Sequence, residues 1–128
     1  MDLGRPARDR RVTRLTFHLV PAEVWAAADP QAAYAAPSLA DEGFIHCTDG
    51  DAELVATADR HYRDDPRTFD VLTLDLERVD SPWRVEDRQG IYPHIFGPIA
   101  RDAIVAHERM QRGPDGRFLG RVPLDATD

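Results

Sequence analysis

The sequence predicts an α+β protein: a mixed or antiparallel sheet core carrying two or three helices. Three observations support this. Residues 69–76 place Val71, Leu72 and Leu74 on both alternating faces of one β-rich run, the pattern of a central strand buried on both sides. Leu54, Val55, Ala58 and Tyr62 recur at helical spacing. Gly113-Pro114-Asp115-Gly116 separates two further β-rich runs, 104–110 and 118–122, as a hairpin turn does.

The remaining elements follow in order. Residues 15–20 are rich in β-formers and read as a first strand, stopped by Pro21. Pro21 suits the start of a short helix through Trp25, ended at Asp29-Pro30. Residues 31–37 are an irregular connection carrying Tyr34. Ser38 with Asp41 reads as a capping box for one helical turn, closed by Gly43, and 44–47 as a second strand. Thr48 with Asp51 reads as a capping box for the helix through Tyr62. Ser81-Pro82 is a turn, 83–86 a short strand and 87–90 a polar, mobile loop. Pro93 removes one donor from the segment 91–96, which predicts an edge or bulged strand.

The chain has 128 residues, the size of one domain, expected over 15–128. Residues 1–14 hold five arginines without an apolar stretch and read as a flexible basic tail rather than a secretory signal. No run is long and apolar enough for a bilayer. The net charge of −7 argues against a nucleic-acid partner, which needs a basic surface. The one cysteine, Cys47, forms no internal disulfide, compatible with a reducing cytoplasm. All sixteen basic residues are arginine, so neither a Schiff-base lysine nor a phosphate-loop lysine exists.

The chemistry concentrates in three segments: 16–20 with His18, 43–48 with His46, Cys47 and Thr48, and 92–98 with Tyr92 and His94. No histidine or cysteine pair has metal-ligand spacing, so no metal is expected. Adjacent strand residues point to opposite faces. His46 and Cys47 therefore do not serve one another; Cys47 faces the core, while Thr48 shares the face of His46. The predicted site is a polar pocket for a small-molecule ligand, with His46 and His94 as acid/base groups and His18, Tyr34, Thr48, Trp83, Glu86 and Tyr92 as ligand-binding residues. Trp83 reads by default as a core residue, with the floor of a pocket for a planar ligand, beside Arg84 and Glu86, as the alternative. His61 and His107 read as surface residues.

The segments Thr16-Phe17-His18-Leu19, Glu42-Gly43-Phe44-Ile45-His46-Cys47-Thr48, Trp83-Arg84-Val85-Glu86 and Tyr92-Pro93-His94-Ile95-Phe96-Gly97-Pro98-Ile99, with Trp25, Tyr34 and Asp70-Val71-Leu72 between them, resemble the bacterial domain-of-unknown-function 952 family. The likeness runs from residue 15 to about residue 122. It implies an ADP-ribosyltransferase-like fold, two small sheets around a cleft. By that resemblance NAD is the implied cofactor. His18 would stand at the first-strand position that grips a ribose, 44–48 would be the segment that packs the nicotinamide, and Glu86 is the candidate late glutamate. Leu19 follows His18 where that superfamily usually has glycine.

Overall fold

The structure is a computed structural model that describes residues 13–124. The expected basic tail lies outside the described residues except at its end, where Arg14 is held. Its guanidinium Nη2 is 2.8 Å from Asp49, and its carbonyl accepts from the Leu76 N–H.

Two antiparallel sheets form the frame. The larger has the order β1 (Leu15–Pro21), β3 (Phe69–Asp75), β6 (Ile104–Arg112), β7 (Phe118–Val122). The smaller has the order β2 (Ile45–His46), β5 (Pro93–Ile95), β4 (Trp83–Val85). Three helices accompany them: α1 (Ala22–Ala27), α2 (Pro37–Glu42) and α3 (Asp51–Tyr62). A reciprocal pair of backbone bonds joins the sheets: Phe17 N to Thr48 O at 2.9 Å and Thr48 N to Phe17 O at 2.8 Å.

β3 is the centre, as its sequence predicts, and every residue in it is buried. Its two faces feed two cores. Leu72 and Leu74 pack with Val20 of β1 and with Ile45, Cys47 and Ile95 beneath the small sheet. Phe69 and Val71 pack with Phe17, Met110, Phe118 and the α3 residues Leu54 and Ala58. The apolar doublet thus reflects a sheet covered on both sides.

Both predicted capping boxes fail. α3 begins from Gly50, without a side-chain cap, because the backbone of Thr48 is already committed to its bridge with Phe17. α2 begins from Ala36 with Pro37 in its first turn, a place where the missing N–H costs nothing. The Ser38 hydroxyl instead donates to the Phe44 carbonyl at 2.8 Å. Gly43 ends α2 in the left-handed region, φ 90°, where a side chain is disfavoured.

The expectation for Pro93 is also corrected: β5 is the middle strand of the small sheet. Pro93 is its first residue, a tolerated position for proline, and its carbonyl still accepts from Cys47 N at 3.0 Å. The loop at 87–90 is anchored as well, since the Asp87 carboxylate accepts from the Ile91 and Tyr92 N–H groups at 3.0 and 2.9 Å.

Candidate functional site

The small sheet sorts its side chains by row. Ile45, Ile95 and Trp83 are cross-strand partners, and all three pack into the core. One residue on, His46, His94 and Arg84 are partners and occupy the other face. The same alternation that buries the isoleucines therefore delivers the two histidines side by side. Their ring centroids are 5.5 Å apart. Phe44 lies against both, stacked on His94 at 4.1 Å and tilted toward His46 at 4.8 Å.

His46 is half-exposed, and its Nε2 is 3.1 Å from both carboxylate oxygens of Glu42. A carboxylate accepts, so Nε2 carries a proton, while Nδ1 has no hydrogen-bond partner among the described residues. The left-handed turn at Gly43 makes this contact possible by folding the end of α2 back over β2. His94 is less exposed; its affinity for protons is lowered first by burial and then by the neighbouring His46. Two imidazoles this close disfavour double protonation.

Behind this pair sits a second one. His18 Nδ1 is 2.8 Å from the His46 carbonyl, and its Nε2 is 3.1 Å from the Tyr34 hydroxyl. A carbonyl only accepts, so Nδ1 donates, and Nε2 then accepts from the phenol. Burial pushes His18 down to about 4 and pushes the Tyr34 phenol upward. Both are therefore neutral at pH 7, with the ring nitrogens of His18 fully occupied.

These groups border a cleft of about 800 Å³. His18, Tyr34, Thr48, Tyr92, His46 and His94 all line it. Thr48 and Tyr34 are buried there. Cys47 lies at its floor with 2% exposure, and burial raises its thiol pKa, which makes it a poor nucleophile. Trp83 and Glu86 do not border the cleft. Trp83 belongs to the isoleucine row and the core, with Arg14 5.9 Å above its ring. Glu86 is half-exposed beside Arg84, 4.0 Å from His94 Nδ1, too far for a hydrogen bond.

Several lining residues were not singled out by the sequence: Glu42, and the α3 residues Thr57, Arg60 and His61. The last three share one helical face by their spacing. His61, expected on the surface, is exposed but turned to the cleft. His107 is not a free surface residue. Its Nε2 lies 2.7 Å from the buried Asp70, which Arg109 also engages at 2.9 Å. Among the described residues no cluster of three His, Cys, Asp or Glu side chains is suited to a metal ion, and no helix is long and apolar enough to cross a membrane.

Fold and site together define an α+β protein of two antiparallel sheets with a histidine-bordered cleft. The chain belongs to the DUF952 family, described as proteins of unknown function, whose model matches residues 19–107. Both histidine segments of the small sheet fall inside that match. Among solved structures, protein CC0527 from Caulobacter crescentus and a double mutant of it have the same fold. Each is 24% identical, covers 83% of this chain and 94% of its own, and superposes with a TM-score of 0.65. No curated protein matches the sequence.

Proposed function

We propose that this protein is a small cytoplasmic enzyme of ADP-ribosyltransferase-like fold that binds a nucleotide-like small molecule in the cleft and moves a proton with His46 and His94. The observation that carries the reading is the unequal pairing of these two rings. His46 has Nε2 engaged by Glu42 and Nδ1 free. His94, neutral at pH 7 because its proton affinity is lowered, supplies a hydrogen-bond donor beside it. In the step inferred, His46 Nδ1 takes a proton from the ligand, and Glu42 stabilises the imidazolium that results. His94 donates to the oxygen on which negative charge develops.

The residues do not fit NAD held as in the ADP-ribosyltransferases. Both nitrogens of His18 are already bonded inside the protein, leaving none for a ribose, and Glu86 stands outside the cleft. The position of Glu86 also favours a second reading, binding without turnover, because the candidate for the carboxylate used in ADP-ribosyl transfer does not border the cleft.

The test is a thermal-shift panel of nucleosides, mononucleotides and dinucleotides, NAD included, at millimolar concentration. A ligand at about 100 times its Kd stabilises the folded state by about 2.7 kcal/mol. A shift in the wild type that is reduced in both His46→Ala and His94→Ala is the expected result. No shift with any member removes the nucleotide; an undiminished shift in both variants removes the histidine pair.

A further inference from the structure

The side of the cleft formed by α3 carries chemistry that the histidine pair does not use. Thr57, Arg60 and His61 line it together, at the i, i+3, i+4 spacing that places side chains on one helical face. The Thr57 hydroxyl is buried with no hydrogen-bond partner. A buried hydroxyl without a partner is costly; Thr57 itself is part-exposed on the cleft, and a turn about χ1 that exchanges its methyl and hydroxyl would let a ligand oxygen satisfy the hydroxyl. Among the described residues Arg60 makes no ion pair. Arg67, just beyond the helix, also lines the cleft. Asp65 holds its Nε and Nη2, and its Nη1 has no hydrogen-bond partner among the described residues.

The carboxylates bordering the cleft do not compete for these donors. Glu42 is engaged by the His46 ring, and Asp87 by the backbone N–H groups of Ile91 and Tyr92. Basic residues in the last turn of a helix also offset its dipole, which is reason enough for Arg60 and His61 to be basic. It does not explain why they border a cleft, nor the orphaned hydroxyl one turn before them.

We infer that this wall is an anion subsite, which receives a phosphoryl group of the ligand between Thr57 Oγ1, Arg60 and Arg67. The inference rests on the reading of the cleft as a small-ligand site and adds the ligand's charge and orientation. The phosphoryl end lies against α3 and the reacting end against His46 and His94. Guanidinium groups suit this task because they are always charged and match phosphate oxygens in pairs.

Inorganic pyrophosphate is the probe, since it needs only the anion subsite. Titration by calorimetry, with amide shifts of α3 followed by NMR, is expected to show binding at or below about millimolar Kd, with Arg60→Gln weakening it about tenfold, the size of one charge-assisted hydrogen bond. Thr57→Val should weaken it a few-fold, about the effect of one neutral hydrogen bond. His94→Ala should bind as the wild type does. No binding to the wild type overturns the subsite, as does equal binding by Arg60→Gln. Loss in His94→Ala matching that in Arg60→Gln also overturns it, because the anion would then sit at the histidine pair. Each of these results leaves the thermal-shift test of the histidine pair to be decided on its own outcome.

Discussion

The His18–Tyr34 and His46–His94 ring pairs share one centroid separation, 5.5 Å, and they are chemically opposite. In the first pair both groups are buried and every ring nitrogen of His18 has a partner. In the second, His46 is half-exposed and keeps one nitrogen free. A hydrogen bond links the pairs, from His18 Nδ1 to the His46 carbonyl. Ring proximity alone therefore does not set a pair's chemistry; the difference lies in unspent hydrogen-bonding capacity next to a cleft. The sealed pair fixes the backbone that carries the open pair.

The largest expected effect breaks the sealed pair. His18→Ala leaves the His46 carbonyl and the Tyr34 hydroxyl without partners in a buried space and should cost about 3 kcal/mol in denaturant unfolding. The same residue sets a pH dependence. Above pH 6.5 His18 is neutral whether the chain is folded or not. As pH falls below 6.5, the unfolded chain takes up a proton that the folded one refuses until about 4. Stability should therefore drop across that window, by on the order of 3 kcal/mol, and the contribution should not change further below it. Cys47→Ala, at the cleft floor, should cost about 1 kcal/mol, and native protein should resist thiol labelling. The smallest effect belongs to the open pair: His46→Ala and His94→Ala should each change stability by less than about 1 kcal/mol. Denaturation curves of the variants in one buffer check this whole order. A large loss in the open pair, or none in His18→Ala, would erase the distinction.

The scaffold was legible where burial speaks locally. The doublets of 69–76 announced a strand covered on both faces, and the Gly-Pro-Asp-Gly turn announced a hairpin. The caps were not legible, because Thr48 and Ser38 have competing uses that depend on distant partners, Phe17 across the sheets and Phe44 beyond Gly43. At the site, alternation was enough to separate His46 from Cys47. It did not reveal Glu42, which sits four residues before His46 across a glycine that breaks the helix and reaches the ring only because that glycine is left-handed. Nor did it reveal Thr57, Arg60 and His61. The polar face of a helix reads as a solvent face until the neighbouring sheet edge is known.

The most direct measurement is an NMR pH titration of the histidine rings in the wild type and in His46→Gln. The His18 signals are expected to stay those of a neutral ring protonated at Nδ1 from pH 8 to below 5. His94 is expected to titrate below its ordinary 6.5, with a midpoint that rises when His46 is replaced, since one source of repulsion is gone. A His18 ring titrating near 6.5, or a His94 midpoint indifferent to His46→Gln, would contradict the division between a sealed pair and an open one.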